Sequence, residues 1–129
     1  MGLQKWFSRV LMSTWFREIS VIDPENLPSD RGAVIVSWHP GGLFDNMLTK
    51  GLLPGEHIKF DGLINNADEV ESIAKQLALG KYVVVFPEGD SHSSPKSREI
   101  QDNAARIALK SAELSKNNPP VIIPVGIHY

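Results

Sequence analysis

Three short runs of apolar, largely β-branched residues constrain this chain more than anything else in it. They are residues 33–38 (AVIVSW), 82–86 (YVVVF) and 121–125 (VIIPV). Each is too short for an ordinary helix, and none alternates apolar with polar residues as a half-wet strand does. Each therefore predicts a strand buried within a sheet. The segments between them have a helical period. Residues 66–79 carry Val70, Ile73, Ala74 and Leu77 at three- and four-residue intervals, with Gly80 to end the helix. Residues 100–115 carry Ala104, Ala105, Ile107, Ala108 and Leu109, and a further helix is expected over 43–53. A minor strand is expected over 57–60. Strands alternating with helices predict an α/β fold, a mostly parallel central sheet flanked by helices.

Ahead of the first strand, residues 3–20 place Trp6, Phe7, Val10, Leu11, Trp15 and Ile19 at helical spacing. This predicts an amphipathic helix within residues 1–20. Two readings fit it. The apolar stripe packs on the chain's own core, or, with Lys5, Arg9 and Arg17 close by, the helix lies on a membrane surface. No apolar run approaches the roughly 20 residues of a membrane-spanning helix, and the N-terminus lacks the basic-then-apolar pattern of a secretory signal. The 129 residues suit one domain, 1–129. A net charge of −2 carries no bulk signal for nucleic acid. With no cysteine, disulfides, thiolate metal sites and a cysteine nucleophile are all excluded.

The chemistry concentrates where two of the expected strands end. His39 follows the first run directly, and in open α/β sheets ligands collect beyond the strands' C-terminal ends. Pro40-Gly41-Gly42 turns the chain with little bulk, and Asp45 falls in the first turn of the next helix. A carboxylate bonded to one ring nitrogen fixes the tautomer and leaves the other nitrogen as a base. The plainer reading is a loop histidine beside an aspartate that serves the helix N-terminus. Phe86-Pro87-Glu88-Gly89 occupies the equivalent place after the second run, with Ser91 and His92 just beyond. Taken alone it reads as an ordinary turn, but two polar segments at two parallel strand ends converge on one crevice. Lys96 and Arg98 follow as candidate anion contacts, or as solvated surface charges. His57 and His128 read as structural. A metal site built from His39, Asp45, Glu88 and His92 has suitable N and O donors but no local ligand spacing behind it.

With those residues in view, the chain resembles the glycerolipid acyltransferases, the glycerol-3-phosphate and lysophosphatidate acyltransferases. VIVSWHPGGLFD resembles their first block, a His and an Asp a few residues apart, here with five residues between them. VVVFPEGDSHSSP is similar to the third block, and VIIPVGIHY to the fourth. DNAARIAL resembles the helix after the third block, and VIDPENLPSDRGAVIV the approach to the first. The resemblance covers most of the chain and rests on the order of the blocks. It implies a glycerol-3-phosphate acyltransferase-like fold and transfer of a fatty acyl group from acyl-CoA or acyl-carrier protein to a hydroxyl of glycerol 3-phosphate or lysophosphatidate. His39 would be the general base and Asp45 its orienting partner. Gly41 and Gly42 would offer backbone donors, while Glu88, Gly89, Ser91 and His92 would shape the acceptor pocket. It implies no metal and no prosthetic group, and a location at the cytoplasmic face of the inner membrane.

Two departures stand out. The family's basic second block is missing, since no arginine lies between Asp45 and Phe86. Lys59, Lys96 and Arg98 are the remaining candidates for an acceptor phosphate. The family's Lys-x-Gly element before the alanine-rich helix is here Gln101-Asp102-Asn103. These departures leave two other expectations open, a non-catalytic lipid- or acyl-binding relative and a metal-dependent hydrolase.

Overall fold

A computed structural model of the chain describes residues 2–38, 43–53, 55–58, 66–89, 96 and 99–128. Its centre is a three-stranded parallel sheet of β1 (Ala33–Ser37), β2 (Tyr82–Val85) and β3 (Val121–Val125), in the order β2-β1-β3. In register, Ile35 faces Val84 on one side and Ile123 on the other. Among the described residues four α-helices accompany the sheet: α1 (Leu3–Trp15), α2 (Leu43–Leu52), α3 (Ala67–Ala78) and α4 (Asn103–Leu114).

The middle strand explains the unbroken apolar runs. Side chains alternate between the two faces of a strand, and β1 is covered on both. On one face Val34, Val83 and Val85 pack with Ile73 and Leu77 of α3 and Ile107 of α4. On the other, Ala33, Ile35, Tyr82 and Val84 pack with Leu53, the residue after α2. A fully buried aliphatic side chain such as Ile35 contributes about 1.5–3 kcal/mol relative to exposure. The α3–α4 layer covers less of β3, where Ile122, in register with Val34, is 55% exposed. The Val121 amide donates to Gly32 O, so alternation turns the backbone of residues 122 and 124 away from β1. Position 124 is a proline, so the outer edge of β3, unpaired among the described residues, lacks a donor there.

α3 shows why its sequence makes a helix and stops. Asn66 is extended, and its side chain accepts from the Glu69 amide at 2.9 Å, an N-cap. Asp68 and Glu69 meet the positive end of the helix dipole. At the other end Gly80 takes φ +91°. The Gly80 amide then donates to Leu77 O, and the Lys81 amide to Gln76 O, which forms a Schellman motif.

The N-terminal helix differs from expectation in length and in the face it docks. It ends at Trp15, and Ile19 lies beyond it. Ser13 Oγ and Thr14 Oγ1 both donate back to Val10 O, which weakens the last turn, and Phe16 is already extended. α1 packs on α2 through Ser8 and Met12, both buried, with Ser8 against Gly51. Leu3, Trp6, Phe7 and Val10 face outward and are exposed. Lys5 Nζ donates to Leu53 O and Gly55 O, and Arg9 Nε donates to Gly51 O. As α1 runs forward its partners run backward, so the two helices are antiparallel. The expected strand over 57–60 reduces, among the described residues, to a single parallel bridge between His57 and Tyr82. Residues 59 and 60 lie outside the described residues.

Two stability predictions follow from this packing. A Cβ on Gly32 would collide with the Leu77 carbonyl oxygen, where the end of α3 passes the start of β1. Gly32→Ala should cost about 2 kcal/mol in urea unfolding, whereas Gly2→Ala, in open space, should be neutral. The Tyr82 hydroxyl donates to Pro28 O, and burial, with the nearby Asp30 carboxylate, pushes the phenol above its usual 10.0. A raised pKa means this contribution is complete below pH 10.0 and is lost as pH rises through the folded value. Tyr82→Phe should cost about 1 kcal/mol at neutral pH and reduce the stability loss above pH 10.

Candidate functional site

Because the strands are parallel, their C-terminal ends share one edge of the sheet. Val36 pairs with Val85, so the segments that leave β1 and β2 start side by side. On the β1 side Ser37 is buried and its Oγ donates to Trp38 O at 3.0 Å. Trp38 is exposed. α2 then starts at Leu43, which makes Asp45 its third residue and puts it in the first turn, as the sequence predicts. Only the backbone of Asp45 is described, and His39, Gly41 and Gly42 lie outside the described residues.

On the β2 side Phe86–Gly89 forms a tight turn. The Gly89 amide donates to Phe86 O at 2.8 Å, and Gly89 takes φ +72°, a conformation that favours glycine. Glu88 is half-buried in this turn. Glu88 and Gly89 thus stand at the sheet edge the sequence assigns them, beside the end of β1. Ser91, His92 and Arg98 lie outside the described residues, and Lys96 is exposed. His57, paired with the first residue of β2, sits at the opposite end of the sheet. Its Nε2 contacts Leu53 O, and its ring stands edge-on to Tyr82, in keeping with a structural role.

One residue at this edge enters the sequence reading only as a departure from the family's Lys-x-Gly element. Gln101, just before α4, is tied to the turn by its amide, which donates to Pro87 O at 2.8 Å. Its carboxamide lies over Gly89, where a Cβ would stand 2.7 Å from Nε2. The sequence hint was Gly89 itself, a glycine in a turn, but a glycine does not name its neighbour.

A parallel α/β sheet flanked by helices, with two motif-bearing segments leaving its strand ends, is a PlsC acyltransferase-like α/β fold. The fold matches the crystal structure of the 1-acyl-sn-glycerophosphate (LPA) acyltransferase PlsC from Thermotoga maritima with a TM-score of 0.68, over 97% of this chain and 66% of that one, at 20% identity. In sequence, 105 residues (81% of the chain) are 26% identical to glycerol-3-phosphate O-acyltransferase 2 of Saccharomyces cerevisiae (strain ATCC 204508 / S288c). No family model matches the chain. Sequence relation and fold together support a glycerolipid acyltransferase family. It spans 14% of the yeast relative's length.

Proposed function

We propose that the chain transfers a fatty acyl group from an acyl-CoA or acyl-carrier-protein thioester to a hydroxyl of glycerol 3-phosphate or lysophosphatidate, a step of phospholipid synthesis. The observation that carries this reading is the common edge, where the segment from Ser37 to Asp45 and the turn Phe86–Gly89 leave adjacent parallel strands. His39 accepts the hydroxyl proton as the oxygen attacks the thioester carbonyl. The carbonyl electrons move onto oxygen, and backbone N–H groups near Gly41 and Gly42 stabilise that charge. Collapse expels the thiolate, which takes the proton back from His39. Asp45 orients the imidazole and stabilises its charged form. Glu88, Gly89, Ser91 and His92 shape the acceptor pocket, and Lys96 and Arg98 meet the acceptor's phosphate. The reaction takes no metal and no prosthetic group.

We also propose a peripheral address at the cytoplasmic face of the inner membrane. No helix among the described residues is long and apolar enough to cross a membrane. The exposed row Leu3, Trp6, Phe7 and Val10 on α1 supports surface attachment, because an apolar helix face next to Trp inserts at the headgroup boundary. Lys5 and Arg9 are engaged with carbonyls at and just beyond the end of α2, so attachment rests on the apolar row more than on these charges.

A second reading, a binding-only relative, is favoured by the lack of any arginine between Asp45 and Phe86. Free-thiol release from palmitoyl-CoA separates the two, with glycerol 3-phosphate or lysophosphatidate as acceptor. Acceptor-dependent release that falls about 10²-fold or more in His39→Ala, and also drops in Asp45→Asn, is the expected result. A folded chain that releases no thiol with either acceptor is the binding-only relative. For the membrane, Phe7→Asp with Val10→Asp should weaken vesicle partition at least about tenfold and leave the unfolding midpoint within error, because both residues face solvent. Partition that survives both changes would refute the α1 face.

A further inference from the structure

Gln101 lies where an acceptor bound at the Phe86–Gly89 turn would meet the protein, and its local bonds give its carboxamide a direction. The backbone is anchored first, since the Gln101 amide donates to Pro87 O at 2.8 Å. The side chain then folds over Gly89, whose missing Cβ leaves the space it occupies, with Nε2 at 2.7 Å and Cδ at 3.3 Å from that empty position. Asn103 Nδ2 donates to Gln101 Oε1 at 3.1 Å. A primary amide has one accepting end and one donating end, so this bond assigns Oε1 to Asn103 and turns the NH2 group toward the turn. Among the described residues no acceptor takes a hydrogen bond from Nε2, and the residue is exposed. The result is an oriented, neutral pair of donors beside Glu88 and Gly89.

We propose that Gln101 is an acceptor-recognition residue, whose Nε2 donates to a headgroup oxygen of the acyl acceptor. The proposal rests on the acyl-transfer reading of this edge. It gives the chain a neutral donor in a site with no arginine between Asp45 and Phe86. A carboxamide donor binds either a glycerol hydroxyl or a phosphate oxygen, so acceptors with and without phosphate tell the two apart.

Three variants test it. Gln101→Glu keeps the shape and the Oε1 acceptor but replaces the donors with a charge. Gln101→Lys restores a donor as a cation, and Gln101→Ala removes the group. With glycerol 3-phosphate as acceptor, Gln101→Glu should raise KM for the acceptor about tenfold or more and leave KM for palmitoyl-CoA and kcat within about twofold. Gln101→Lys should return the acceptor KM to the wild-type value or below. If plain glycerol shows the same loss in Gln101→Ala, the contact is to a hydroxyl; if only the phosphorylated acceptor does, it is to phosphate. A strap with a merely structural role would move both KM values and the unfolding midpoint together, and that result overturns the proposal.

A binding readout keeps the proposal separate from the reaction. In 15N-edited spectra the Gln101 side-chain NH2 pair, identified by its loss in Gln101→Glu, should shift saturably as glycerol 3-phosphate is added. Shifts without thiol release would remove the reaction and keep the contact. Thiol release with an unmoved NH2 pair and an unchanged acceptor KM would remove Gln101 and keep the reaction.

Discussion

The parallel pairing of β1 between β2 and β3 is the constraint on which the rest depends. A parallel pair cannot be joined by a tight hairpin, so each return has to cross a face of the sheet as a helix. Those crossings bury the middle strand and force its side chains to be apolar. The same pairing gathers every strand's C-terminal end on one edge. The His39–Asp45 segment and the Phe86–Gly89 turn lie far apart in sequence, yet they begin from neighbouring strands. Hydrophobic burial thus determines which loops meet, and the loops are left to supply the chemistry.

α2 links that edge to the outer surface of the protein. Its first turn carries Asp45, Gly51 O in its last turn accepts from Arg9 of α1, and Leu53 O and Gly55 O just beyond it accept from Lys5. Cations at a helix C-terminus offset its partial negative charge and satisfy carbonyls that lack an intrahelical partner. Their use in this contact accounts for a helix that turns only Ser8 and Met12 fully inward and leaves Leu3, Trp6, Phe7 and Val10 outward. Ser8 against Gly51 lets the two backbones come close, and Met12, one turn further along α1, is buried.

The sheet was legible because buried strands leave a simple record. Val121–Val125 is the expected strand residue for residue, and Ala33–Ser37 and Tyr82–Val85 fall within one residue of expectation. The helical stripes of α3 and α4 were legible for the same reason, with the ends of α3 set by Asn66 and Gly80 and α4 starting at Asn103, three residues later than periodicity suggests. The docked face of α1 was not legible. Amphipathicity reveals two faces and does not say which one meets protein, and here the contact was decided by long-range bonds from Lys5 and Arg9. In the candidate site, the position of Asp45 and the turn at Glu88–Gly89 were readable from their places after apolar runs. The place of Gln101 over Gly89 was not, because it arises from a contact across the turn that no local pattern encodes.

Pro124 has a further consequence. A three-stranded sheet with an open flank is a template on which copies of a chain stack edge to edge into long ribbons. The missing amide at the centre of that flank breaks the ladder such stacking requires. The chain can therefore keep Ile122 half in water without inviting fibre growth. Whatever covers this flank must do so with side chains, and one residue thereby separates a surface fit for selective contact from one that would polymerise.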